Sequence, residues 1–277
     1  MIGIEIHDYA GAGGTPLRYR VVRADRERFA LLYLHGIESH GAWFLRAARE
    51  LATRGCTTYL LDRRGSGLNR DGEPSHDGDA ESAEVLLEDI RRFRDHASLA
   101  TVVLVGLSWG GKLAVAAALD QPAGVRAVVL VTPGLVPAVD LSFGNKLRAL
   151  ASLASGGHAP IELPIEPEMF THTPRWLDYI EHDPDRLTRV TARFLRASRS
   201  IDHRLRAPQA ALTAPVLLLL AGHDRIIDNQ RTLALLESLC HRDLRVRRYA
   251  DSTHSIQFDD TARLVDDAIA FLEEVAC

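Results

Sequence analysis

The apolar run Thr101-Val102-Val103-Leu104-Val105 leads directly into Gly106-Leu107-Ser108-Trp109-Gly110, and that into the helix-like stretch from Lys112 to Leu119. Strand, sharp turn and helix must therefore follow one another with almost no connecting chain. A serine at such a turn is held in strained backbone geometry, with its hydroxyl lifted above the sheet. The glycines on either side keep side chains out of the place where strand and helix nearly collide. The rest of the chain has to supply an α/β framework around this turn.

It does so by alternation. Residues 2–7, 17–23, 29–34, 57–61, 101–105, 127–131, 216–220 and 244–249 read as strands, and residues 42–53, 80–96, 109–119, 229–239 and 261–275 as helices. The first two strands alternate polar and apolar residues, as an antiparallel edge hairpin should. The later ones read as continuous Val/Leu runs, expected of parallel strands covered on both faces. The expected class is α/β, a mostly parallel sheet of about eight strands with helices on both faces.

The alternation lapses between residues 134 and 214. Prolines gather here (Pro160, Pro164, Pro167, Pro174, Pro184), no Val/Ile-rich strand is visible, and residues 145–153, 174–181 and 185–199 have helical period. This divides the chain into a first core segment (1–134), a helical cap insertion (135–213) and a second core segment (214–277). The insertion enters just after a strand's carboxyl end, where ligands bind in open α/β sheets.

A formal net charge of −4 offers nothing to attract nucleic acid or an anionic surface. Cys56, Cys240 and Cys277 are scattered and odd in number, and read as thiols in a reducing compartment. The first residues lack a basic stretch followed by an apolar one, and the longest apolar run is too short to span a bilayer. A cytoplasmic protein without an integral membrane segment is expected. No heptad or apolar stripe points to an oligomeric partner.

A serine hydroxyl attacks only when a base takes its proton, and that base must be oriented by a third group. Asp224 follows the run Val216–Ala221, and His254 lies just beyond the strand at 244–249, so both sit past later strand ends. The order Ser108, Asp224, His254 is that of α/β-hydrolases. Asp228 competes for the acid role but reads better as the N-cap of the following helix. His223 is expected to be solvated, and Asp251 is a candidate support for the His254 loop. Negative charge developing on the substrate needs backbone N–H donors. Trp109 should give one and Ile37, in the loop Leu34-His35-Gly36-Ile37-Glu38-Ser39-His40-Gly41, the other, with His35 bracing that loop. His35, His40, His223 and His254 have no metal-ligand spacing.

Together, His35-Gly36, Asp62-Arg63-Arg64-Gly65-Ser66-Gly67, the Ser108 motif, Gly222-His223-Asp224-Arg225-Ile226-Ile227 and His254 resemble the serine α/β-hydrolase superfamily. Within it they are most similar to the monoglyceride lipase and lysophospholipase group, across both core segments. The turn at 62–67 is closer to that of proline iminopeptidase-like members. The resemblance implies the α/β-hydrolase fold and a cofactor-free, metal-free acyl-enzyme reaction on a small-molecule acyl substrate. A carboxylic ester of a small or medium acyl chain comes first, a monoacylglycerol or lysophospholipid among them. A thioesterase, a C–C bond hydrolase or a proline iminopeptidase-like peptidase are the other enzymatic readings. For the peptidase, Glu162, Glu166 and Glu168 would face the substrate ammonium. A non-catalytic binding protein on a hydrolase fold is the reading from another class.

Overall fold

The computed structural model describes residues 2–276 apart from 74, 208, 241 and 242; Cys277, expected as a thiol, lies outside the described residues. In chain order the first core segment contains β1 (Glu5–Ala10), β2 (Pro16–Val22), β3 (Phe29–Leu34), α1 (Leu45–Thr53), β4 (Cys56–Leu61), α2 (Ala83–His96), β5 (Val102–Leu107), α3 (Trp109–Asp120) and β6 (Val125–Val131). The excursion that follows holds α4 (Phe143–Leu153), β7 (Pro160–Glu162), α5 (Pro174–His182), β8 (Arg189–Thr191) and α6 (Ala192–Leu205). The sheet resumes with β9 (Val216–Ala221), α7 (Asn229–Leu239), β10 (Leu244–Tyr249), α8 (Ile256–Asp259) and α9 (Thr261–Glu274).

Eight strands form one sheet in the order β1-β2-β4-β3-β5-β6-β9-β10. Only β1–β2 and β2–β4 pair antiparallel; every other pairing is parallel. The central strands are buried on both faces because alternate residues enter different cores. Val103, Val105 and Leu107 of β5 join α1 and α9 on one side. Val102 and Leu104 join α2 and α3 on the other. Such strands bury nearly every side chain they carry, which is why they read as unbroken apolar runs.

The chain passes from β3 to β4 on one side and then to β5 on the other. This reversal opens a crevice beyond the carboxyl ends of β3 and β5, the place where α/β sheets bind ligands. The loop after β3 and the turn after β5 both end there.

Within the excursion, residues 185–199 do not form one helix. Arg189–Thr191 is a short strand that pairs antiparallel with Pro160–Glu162. Helix α6 begins only at Ala192, where the Thr191 hydroxyl accepts the Phe194 N–H at 3.2 Å. A side-chain cap starts the helix later than hydrophobic periodicity alone indicates. Cys56 and Cys240 are free thiols. Among the described residues no helix is long and apolar enough to cross a membrane.

Candidate active site

Ser108 stands between β5 and α3 with φ 52° and ψ −125°, a left-handed conformation that non-glycine residues rarely adopt. Close packing enforces it. A Cβ on Gly106 would fall 2.5 Å from the Gly111 Cα, and one on Gly110 would fall 2.0 Å from the Leu34 carbonyl oxygen. The serine backbone is anchored by the end of β6: its N–H donates to Val131 O at 3.0 Å, and its carbonyl accepts the Gly134 N–H at 2.6 Å.

Asp224 and His254 meet at the neighbouring strand ends. The His254 Nδ1 lies 2.9 and 3.1 Å from the two Asp224 carboxylate oxygens, and both side chains are fully buried. The N–H groups of Ile226 and Ile227 donate to the same carboxylate oxygen at 2.9 Å, so the acid is fixed from two directions. The carboxylate accepts the Nδ1 proton, which leaves Nε2 as the ring's acceptor. That Nε2 is buried without a hydrogen-bond partner among the described residues. Asp228 instead caps α7, accepting the Arg231 N–H at 2.9 Å, and His223 is exposed.

The His254 loop is held by residues that sequence reasoning passed over. Asp259, not Asp251, braces it: its carboxylate accepts the Thr253 N–H at 2.8 Å and the Thr171 hydroxyl at 2.5 Å. Phe170 O accepts the Ser255 N–H at 2.7 Å, tying the loop to the excursion. Thr132, at φ 41°, donates its hydroxyl to His254 O at 2.8 Å. Thus the segment just after β6 anchors both Ser108, through Gly134, and His254, through Thr132.

The loop after β3 lies against the serine. A Cβ on Gly36 would be 3.2 Å from the Ser108 Cβ. Ile37, Ser108 and Trp109 line one cavity of about 580 Å³. Neither the Ile37 nor the Trp109 N–H has a hydrogen-bond acceptor among the described residues. Most of the remaining wall is apolar, from Val139, Leu153, Leu163, Ile165 and Leu195 of the excursion and from Ile226 and Ile227. Lys112 also faces it, paired with Asp202 at 2.7 Å; burial lowers the pKa of its ammonium, opposed by that carboxylate. Contrary to expectation there is an apolar stripe on the surface: Phe143, Leu147 and Leu150 are exposed along α4, and Leu150 is also part of the cavity wall.

His40, Asp183 and Asp185 bring three potential ligand atoms within 4.8 Å of one another. Their bonding is directed inward. The Asp183 carboxylate meets His40 Nε2 at 2.9 Å, and accepts the Trp43 indole N–H at 2.5 Å and the Asp185 N–H at 3.0 Å. Although burial pushes Asp183 up, the His40 and Trp43 contacts outweigh it and lower its pKa. This network fastens the 183–187 segment to the loop after β3.

A sequence profile described as serine aminopeptidase, S33, matches residues 25–275. The chain belongs to that family, within the serine α/β-hydrolases. This family member is 26% identical over 272 residues to a monoacylglycerol lipase of Mycolicibacterium smegmatis, covering 95% of this chain and 94% of that protein. The monoacylglycerol lipase of Paleococcus ferrophilus superposes with a TM-score of 0.80 at 19% identity, over 99% of this chain and 100% of the other. A soluble variant of the Saccharomyces cerevisiae monoglyceride lipase gives 0.83 at 15% identity, over 99% and 96%.

Proposed function

We propose that this carboxylic ester hydrolase works through Ser108 as nucleophile, His254 as general base and acid, and Asp224 as the group that orients the imidazole. The observation that carries the reading is the Asp224–His254 contact, which leaves Nε2 buried and unpartnered among the described residues, while one segment after β6 anchors both His254 and a serine held in strained backbone geometry. His254 takes the Ser108 proton as the hydroxyl oxygen attacks the ester carbonyl. The tetrahedral oxyanion is held by the N–H groups of Ile37 and Trp109, the latter at the positive end of α3. His254 then protonates the departing alcohol. Water activated by the same nitrogen hydrolyses the acyl-enzyme, while Asp224 stabilises the imidazolium.

Residues 135–213 act as a cap in this reading, since they supply most of the apolar wall over Ser108. A largely apolar cavity of about 580 Å³ suits a medium acyl chain, and its size lies within the usual range for small-molecule sites. The full-length similarity to a monoacylglycerol lipase favours a monoacylglycerol as the ester. The unpaired thiols Cys56 and Cys240 are consistent with a cytoplasmic enzyme.

A chain-length series of p-nitrophenyl esters and 1-monoacylglycerols tests this. Turnover should peak at medium acyl chains and disappear in Ser108→Ala. Cleavage confined to aminoacyl amides would favour the peptidase reading instead.

A further inference from the structure

Arg63, just beyond β4, is 7% exposed, and no carboxylate pairs with it among the described residues. Its neighbour Asp62 is committed elsewhere, to the Arg20 guanidinium and to the N–H groups of Gly41 and Leu68. An unpaired buried cation is costly and must find other partners. Here they are two successive main-chain carbonyls: Nη1 donates to Gly36 O at 2.8 Å and Nη2 to Ile37 O at 2.5 Å. The guanidinium also lies over the rings of Trp109 and Phe194, 5.3 and 5.1 Å from their centroids. Burial lowers its pKa to about 9, so it remains charged at neutrality.

The Gly36 carbonyl has a second donor. His35 Nε2 accepts the Arg63 backbone N–H at 3.0 Å, which places the ring proton on Nδ1, 2.8 Å from Gly36 O. Burial and the Arg63 charge keep His35 neutral by holding its pKa well down. With no cis peptide among the described residues, the Gly36 carbonyl and the Ile37 N–H point in opposite directions from one peptide plane. Holding the carbonyl therefore aims the N–H.

We propose that Arg63 is a positioning residue for the oxyanion site: by gripping the carbonyls of Gly36 and Ile37 it directs the Ile37 N–H toward the reacting carbonyl at Ser108. The inference rests on the serine-hydrolase reading above. Because the same guanidinium packs on Trp109, a single side chain supports both donors. Lysine cannot replace the planar fork with its single ammonium, even though it keeps the charge.

Arg63→Lys and Arg63→Ala test the role on p-nitrophenyl butyrate. Loss of one oxyanion donor lowers turnover by about 10²–10³-fold, and a loss near the lower figure is expected for Arg63→Lys. Its KM should stay within about threefold of wild type, because the donor acts on the transition state. Affinity for an alkyl boronic acid, whose serine adduct is a tetrahedral anion, should fall in step with kcat; affinity for the corresponding neutral alcohol should not. Added guanidinium chloride should restore part of the turnover of Arg63→Ala, and urea at the same concentration should not. A merely structural role would lower the melting temperature but leave kcat per folded molecule intact. If Arg63→Ala is insoluble, Arg63→Lys decides. A folded Arg63→Lys with kcat within about threefold of wild type, or boronate and alcohol affinities that fall together, would overturn the proposal. Fluorophosphonate labelling separates the two failures. A wild-type protein with no Ser108-dependent labelling removes the underlying hydrolase reading. A labelled wild type beside a fully active Arg63→Lys removes only the role of Arg63.

Discussion

Glu38 and Arg186 form an ion pair at 2.8 Å, with the carboxylate side chain fully buried and the guanidinium 10% exposed. The Glu38 carbonyl also accepts the Leu187 N–H at 2.9 Å, so one residue of the loop after β3 is fastened twice to the excursion. Burial pushes the Glu38 carboxyl from 4.5 up to about 7, and the Arg186 charge only partly opposes this. The folded state therefore binds a proton that the unfolded chain has lost across that interval. Relative to Glu38→Gln, wild-type stability should fall as pH rises from about 4.5 to about 7 and then level off, by on the order of 3 kcal/mol. Urea unfolding of both proteins across this range checks it; parallel pH profiles would refute the assignment.

Gly110 supplies a steric prediction. A methyl group there would meet the Leu34 and His35 carbonyl oxygens at 2.0 and 2.5 Å, and main chain cannot yield as a side chain can. Gly110→Ala should cost about 3 kcal/mol or more and displace the loop that carries Ile37. Gly144→Ala, with nothing within 4 Å of the added carbon, is the control. It should be neutral or stabilising by up to about 1 kcal/mol, since alanine favours the helix. Thermal melts of the pair measure the difference.

The two acids near the end of β9 should separate cleanly. Asp224→Asn keeps the shape but presents the wrong hydrogen-bonding partner to His254, and kcat should fall by roughly 10⁴-fold. Asp228→Ala should lower stability by about 1 kcal/mol through the lost cap and leave turnover near wild type. Steady-state kinetics and urea unfolding on both variants decide the matter. The opposite pattern would move the orienting role to Asp228.

How much of this was legible in the sequence depends on where each residue finds its partners. β3 was readable to the residue because burial on two faces leaves an unbroken apolar run, and α7 because a cap marks its start; β10, a half-exposed edge strand, was readable from the alternation of its apolar residues with arginine. Ser108, Asp224 and His254 could be proposed together because strand ends fix their place in chain order, and the structure joins the last two of them. Helix α6 starts later than its periodicity indicates: the short pairing of β7 with β8 joins segments nearly thirty residues apart, and no local period announces it. Arg63 left no signal because its partners are carbonyl oxygens, which every residue possesses. Glu38 and Arg186 are 148 positions apart and meet only through the fold.

The central claim is that Ser108 is the nucleophile, activated by His254. A fluorophosphonate probe followed by peptide mass spectrometry tests it most directly. Modification of the wild-type protein once, on Ser108, with loss of labelling in Ser108→Ala and slow labelling in His254→Ala, is the predicted result. Labelling of Ser108→Ala at the wild-type rate would contradict it.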